Sequence, residues 1–150
     1  MSALLAACGG FLLAVLWMDL IFDVQVLRHP DVSQPLPEPV LASIAAYYRR
    51  ATTDSAPMSR LIAAVMAVGV LGCGVQVFRG EAPLPLRLAA FALLFAPVAL
   101  AAARIVPDAV QLGARSDPAE LQSALARRIC RGHLVCFAGI AAFVLLQICA

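Results

Sequence analysis

The chain has no lysine, a single tryptophan and little charge of either sign. Its 150 residues include 11 basic residues, all arginine, and 9 acidic residues, so charged side chains make up 13% of the sequence. Soluble domains carry about 25% charged and about 45–50% apolar residues. Here 63% of the residues are hydrophobic and the mean hydropathy is +0.91. This composition excludes an ordinary soluble domain and indicates a membrane protein, and a net charge of +2 gives no reason to expect a nucleic-acid partner.

The sequence also lacks the motifs that usually hold a metal or a cofactor. No two of its five cysteines form a C-x-x-C pair, and four of them lie in apolar runs, where a thiol behaves as a small hydrophobe. There is no H-E-x-x-H and no phosphate-binding glycine loop. His29 and His133, the only histidines, could bind a haem axially. Both are expected near the membrane boundary rather than at one depth inside a bundle, so we predict no metal and no cofactor.

Four apolar runs are long enough to form transmembrane helices. Crossing about 30 Å of hydrocarbon takes roughly 20 apolar residues of helix. The runs are residues 3–22, 61–78, 86–103 and 134–149. No basic residues precede the first run, so we expect a retained span rather than a signal peptide. The sequence therefore predicts a single four-span membrane domain over residues 1–150.

Arginine is distributed unevenly between the two sides of these spans. Nine arginines lie in or beside the long connections, and two, Arg79 and Arg87, flank the short Pro-rich turn between spans two and three. Because cytoplasmic loops carry the excess of positive residues, the long connections are expected in the cytoplasm and both termini outside. We expect the membrane to be a bacterial inner membrane.

Both long connections contain helical patterns. After Pro35, Pro37 and Pro39, apolar and aromatic residues recur at helical spacing from Val40 to Tyr48. In the second connection, Asp117-Pro118-Ala119-Glu120 is typical of a helix start, and the apolar stripe that follows could run straight into the fourth span. The predicted fold class is therefore all-α: an integral membrane four-helix bundle with two short cytoplasmic loop helices.

Polar side chains are expected to collect at the cytoplasmic end of the bundle. Asp19 and Asp23 lie four residues apart and share one helix face, and a carboxylate at this depth normally faces a partner or the bundle interior. We predict that one of them pairs with an arginine of the long connections, with Arg50 and Arg104 as the favoured partners. The candidate polar cluster consists of Asp19, Asp23, His29, Tyr48, Arg49, Arg50, Arg104, Asp108, Arg128 and His133.

Four short segments resemble the anthrone-oxygenase-like family of small four-span membrane proteins. They are His29-Pro30, Tyr48-Arg49-Arg50, the segment from Pro107 to Leu112, and Arg128 together with His133. They occur in the order expected for that family and cover most of the chain. The resemblance implies a four-span architecture, in a family most of whose members have no assigned function.

Two functions are compatible with this sequence. The first is an accessory or structural membrane protein that packs against lipid and against other membrane subunits or further copies of itself. The alternative is a cofactor-free or quinone-type oxidoreductase with a polar site at the cytoplasmic mouth of the bundle. An enzyme should show a pocket lined by the polar cluster, whereas an accessory protein should show those groups paired and an apolar face left for a partner. A small transporter ranks third, because Asp19 is the only charged residue that approaches the middle of a span.

Overall fold

The computed structural model describes residues 2–149, which are helical almost throughout and contain no β-strand. There are six α-helices, with a 3-10 turn after α1 and π-helical turns after α2 and α4. The bounds are α1 Ser2–Asp23, α2 Glu38–Tyr48, α3 Ala56–Arg79, α4 Leu84–Leu100, α5 Val106–Ala114 and α6 Ala119–Cys149. The 3-10 turn is Val24–Arg28 and the π-helical turns are Arg49–Asp54 and Ala101–Ile105.

Four helical segments are long and apolar enough to cross a membrane: Ser2–Arg28, Ala56–Arg79, Leu84–Ala114 and Ala119–Cys149. Each contains one of the four predicted spans, which confirms the all-α membrane bundle. Helix α1 packs against α3 and α6, and α4 packs against the same two helices. Gly9 allows α1 to approach α6 closely, since a Cβ atom there would lie 2.5 Å from Val144 and 3.1 Å from Phe143.

The second long connection is more regular than predicted. Residues 104–133 were expected to be a loop with one short helix that could continue into the fourth span, and most of them belong to two helices that continue the spans. The predicted loop helix is the first part of α6, whose 31 residues extend about 46 Å at 1.5 Å per residue. Hydrocarbon about 30 Å thick leaves more than ten of these residues outside it. Helix α5, which continues α4 beyond a π-helical turn, was not predicted.

The core has two parts, one at each end of the bundle. Within the spans it is formed by α1, α3, α4 and α6 around residues such as Leu5, Leu94 and Phe143. At the other end, α2 and α5 pack against the part of α6 that precedes the fourth span, which we call the extended part of α6 (residues 119–133). Ile44, Leu112 and other apolar side chains form this part of the core. We call this second part the cap. The polar groups described next lie where the cap meets the spans.

Candidate functional site

Asp19 and Asp23 are placed inside the bundle by the same periodicity that places the core of α1. Leu5, Leu12 and Asp19 are seven residues apart, and all three face inward. The Asp23 side chain is completely buried, and that of Asp19 is 14% exposed. Two carboxylates therefore occupy positions that would continue an apolar stripe, and each needs a partner at this depth.

Asp23 is held by two side chains from different helices. The Tyr48 hydroxyl donates to Asp23 Oδ1 at 2.6 Å, and His133 Nδ1 lies 2.7 Å from Asp23 Oδ2. A carboxylate accepts hydrogen bonds, so the Nδ1–H group of His133 is the donor of this bond and Asp23 is the acceptor. Asp23 thus joins the end of α1 to α2 and α6. His133 is buried too, with its side chain 7% exposed.

Asp19 is bound in a parallel way by the neighbouring tyrosine. The Tyr47 hydroxyl donates to Asp19 Oδ1 at 2.7 Å, and the Tyr47 ring stacks on Phe22 with centroids 4.2 Å apart. His133 Nε2 lies 3.7 Å from Asp19 Oδ2, which is too far for a hydrogen bond but close enough for an electrostatic interaction. One imidazole therefore lies between two carboxylates. We call Asp19, Asp23, Tyr47, Tyr48 and His133 the carboxylate cluster.

The tyrosines of α2 are kept protonated by this environment. Burial, and then the charge of Asp23, raise the pKa of Tyr48 far above its usual range. Burial and the neighbouring Asp19 raise the pKa of Tyr47 in the same direction. Both phenols are consequently fixed as hydrogen-bond donors. The cluster ties α1, α2 and α6 together.

The predicted pairing of these aspartates with arginine is wrong. Their partners are His133 and the two tyrosines, whereas Arg50 and Arg104 are exposed and have no carboxylate within ion-pair distance among residues 2–149. The reason is geometric. Arg50 lies in the π-helical turn that follows α2, so the inner face of α2 presents the tyrosines instead.

The other predicted site residues lie outside the carboxylate cluster. Asp108 of α5 receives two hydrogen bonds from Arg128 of α6, at 2.5 and 2.6 Å. Arg49 makes a long, exposed ion pair with Asp54 at 3.8 Å. His29 contributes its backbone carbonyl, which accepts a hydrogen bond from Arg127 at 2.6 Å. The predicted set is therefore divided between one buried cluster and separate contacts within the cap.

Tyr47 and Arg127 were not among the predicted site residues. Tyr47 was included only in the helical pattern from Val40 to Tyr48, although Asp19 lies one helical turn from Asp23 and needs a donor of its own. Arg127 donates to the carbonyls of His29, Asp31 and Gln34, which fixes the segment after α1 against α6. Arg127 binds only backbone carbonyls, so the sequence contains no acidic partner that would have indicated its role.

The carboxylate cluster is not arranged as a metal site within residues 2–149, and none of its residues lines either of the two described cavities. No three His, Cys, Asp or Glu side chains come together as a metal site within residues 2–149. His133 turns both ring nitrogens toward carboxylates, and His29 lies elsewhere, so the two do not face each other as haem ligands would. The two cavities described are lined by other residues.

These features define a multi-pass α-helical membrane protein with a closed polar cluster between its spans and its cap. Residues 1–101, two thirds of the chain, match the model of the SHR3 chaperone family, whose description is ER membrane protein SH3. The chain belongs to this family. The match covers α1 to α4 and therefore Asp19, Asp23 and both tyrosines, but it ends before His133.

The family match corrects the resemblance drawn from short motifs. The assignment to the anthrone-oxygenase-like family is wrong, since the family shown by the sequence is the SHR3 chaperone family. The four short segments were too brief to identify a family. No curated protein and no solved structure matched the chain in the other comparisons.

Proposed function

We propose that this protein is a non-catalytic accessory membrane protein, a single four-span domain that contacts the transmembrane helices of other membrane proteins. One observation carries the proposal: the polar groups of the carboxylate cluster are satisfied by one another. The two aspartates, two tyrosines and His133 form a closed set, and Asp108 is bound by Arg128. Buried groups that are already paired are suited to holding helices together rather than to binding a substrate.

Helix α3 offers the surface for such contacts. Its buried residues are Gly69 and Cys73, and its outward side carries large apolar side chains such as Leu71 and Phe78, which are 70% and 87% exposed. Apolar surface of this kind faces lipid or another transmembrane helix. The word chaperone in the name of the family supports a transmembrane helix of another protein as the partner of this face.

We further propose that the cap faces the cytoplasm. Nine of the eleven arginines lie at that end, and Arg79 and Arg87 lie at the other. The family description names the ER membrane, whereas the sequence favoured a bacterial inner membrane. The excess of positive residues faces the cytoplasm in either case, so the proposed orientation is the same.

The alternative, a membrane oxidoreductase, has less support. It would need room for a substrate beside His133 or the tyrosines. Both described cavities lie elsewhere, one beside the segment 32–35 and one at the opposite end of the bundle. The oxidoreductase reading therefore rests on residue types alone.

Site-specific photo-crosslinking in native membranes tests the accessory function. A photoreactive residue in place of Leu71 should give adducts with other membrane proteins, identified by mass spectrometry. The matched control is Leu145 of α6, which is 63% exposed but lies on a different face. A third probe at Cys73, which is 1% exposed, should give only adducts within the chain.

The outcome separates the possible occupants of the α3 face. Protein adducts at Leu71 that exceed those at Leu145 support the proposal. Adducts made of lipid alone, or equal protein adducts at both positions, contradict it. Adducts with a second copy of the chain would replace it by a homo-oligomer.

A further inference from the structure

A cavity on the outside of the cap lies beside the carboxylate cluster but does not reach it. It has a volume of about 350 Å³ and lies between the segment 32–35 and the extended part of α6. Three arginines of α6 line it, with Arg127 and Arg128 on one turn and Arg131 on the next. Ser33, Gln34 and Glu120 also line it. Three guanidinium groups at one cavity make it the most basic concave surface described here.

Two of these three positive charges are not neutralised by a carboxylate. Arg127 is bound by three backbone carbonyls, at 2.6, 2.9 and 3.3 Å, which occupy its donors but carry no charge. Arg131 is exposed, and no carboxylate lies within ion-pair distance of it among residues 2–149. Only Arg128 has a complementary charge, supplied by Asp108.

Negative groups also lie near the cavity and must be weighed. Glu120 lines it about 16 Å along α6 from Arg131 and about 10 Å from Arg127, so its charge lies farthest from Arg131. Asp31 is nearer to Arg127, and one of its oxygens accepts hydrogen bonds from both the backbone and the hydroxyl of Ser33. The end of the cavity beside Arg131 is therefore where an anion is most stable.

The position of Arg131 along α6 fits the level of lipid headgroups. Leu134, the first residue of the apolar run, follows three residues later, or about 4.5 Å along the helix axis. Val135, one turn beyond Arg131 on the same face, is 62% exposed. A basic group therefore stands directly above an outward apolar face.

We propose that this cavity binds the phosphate group of an anionic phospholipid, with an acyl chain lying along α6 below Arg131. The guanidinium of Arg131 would contact the phosphate, and the fixed charge of Arg127 would attract it. Basic pockets at the cytoplasmic ends of transmembrane helices suit such headgroups. The proposal requires that the spans lie in a membrane but not that the protein is an accessory subunit, so either proposal can fail alone.

Lipid titration of the purified full-length protein, followed by native mass spectrometry, tests this site. Phosphatidylglycerol should bind more tightly than phosphatidylcholine. Arg131→Gln should weaken phosphatidylglycerol binding about five-fold, since each arginine near an anionic lipid surface contributes about 1 kcal/mol. Arg131→Lys keeps the charge and should retain most of the binding. The matched control is Arg60→Gln, an exposed arginine at the same end of the bundle that does not line the cavity.

Three results would overturn the proposal. The first is equal binding of both lipids by the unaltered protein. The second is an equal loss in the Arg60 and Arg131 variants, which would show general attraction to the bundle end. The third is full displacement of the lipid by inorganic phosphate, which would make the cavity a site for soluble anions. Photoreactive phosphatidylglycerol should label peptides from 32–35 and 124–135, and labelling confined to other helices would equally refute the site.

Discussion

Replacing Asp23 by alanine removes a fully buried carboxylate that holds two partners. The Tyr48 hydroxyl and His133 Nδ1, at 2.6 and 2.7 Å, would lose their acceptor without gaining contact with water. Each buried donor left without an acceptor costs about 1–3 kcal/mol, so we expect the loss of the shared acceptor to cost about 3–5 kcal/mol for the two donors. In a domain of this size each kcal/mol lowers Tm by about 2–4 °C. We expect Asp23→Ala to lower Tm by about 6–20 °C.

The cysteines of the chain provide the assay. Cys8, Cys73, Cys130 and Cys136 are buried and Cys149 is exposed. A thiol-reactive fluorescent dye will therefore report unfolding of the detergent-solubilised protein. Cys149→Ser, introduced into every variant, removes the label that would bind before unfolding. The melting temperature is then read from the rise in fluorescence.

Two further variants make the measurement specific. Asp54→Ala removes the exposed partner of Arg49, an ion pair of 3.8 Å, and should leave Tm unchanged because such surface pairs contribute little. Asp23→Asn keeps an acceptor oxygen for Tyr48 but removes the charge that faces His133, so its loss should be intermediate. If Asp23→Ala melts within about 2 °C of Asp54→Ala, the carboxylate cluster does not stabilise the fold and the reasoning is refuted.

Three other predictions concern packing, ionisation and topology. Gly113→Ala should destabilise the protein by about 1–3 kcal/mol, since the added Cβ would lie 2.9 Å from the backbone nitrogen of Arg49. In the control variant Gly74→Ala the added Cβ meets nothing within 4 Å, so the protein should be stabilised by up to about 1 kcal/mol. Equal shifts in melting temperature for the two variants would contradict this prediction. Both tyrosines have raised pKa values in the fold, so their stabilising contribution is complete below pH 10 and is lost as the pH rises above it. Tyrosinate absorbance should therefore appear at higher pH in the folded than in the denatured protein, and coincident titrations would refute the buried cluster. A cysteine in place of Ser55 should be labelled only after permeabilisation, whereas one in place of Ala82 should be labelled from outside; reversed labelling would invert the proposed topology.

The fold could be predicted because span formation depends on local composition. Each apolar run must satisfy its backbone hydrogen bonds internally, so a run of sufficient length becomes a helix wherever it packs. The residue at which each helix ends depends on tertiary packing as well as on local composition. Residues 119–133 are polar enough to be interpreted as part of a loop, yet their apolar stripe packs on α2 and α5, so the helix continues without a break into the last span.

The partners of Asp19 and Asp23 could not be predicted because they depend on how α2 is rotated. The spacing of the two aspartates correctly placed them on one face of α1. Whether the inner face of α2 presents Tyr48 or Arg50 depends on tertiary packing against α5 and α6. His133 was in the predicted polar cluster, and its place in one stripe with the apolar residues Ile129 and Cys136 indicates an inward-facing side chain, but its pairing with the aspartates was not predicted.

The carboxylate cluster also sets an order of events during synthesis. His133 follows Asp23 by 110 residues, whereas Tyr48 follows it by 25. At about 5–20 residues per second, the ribosome needs roughly 6–22 s to make the intervening chain. The first span therefore enters the membrane with two acidic groups whose histidine has not yet been made. The adjacent tyrosines are the earliest partners available, and the histidine joins them only after helices α2 to α5 have been made.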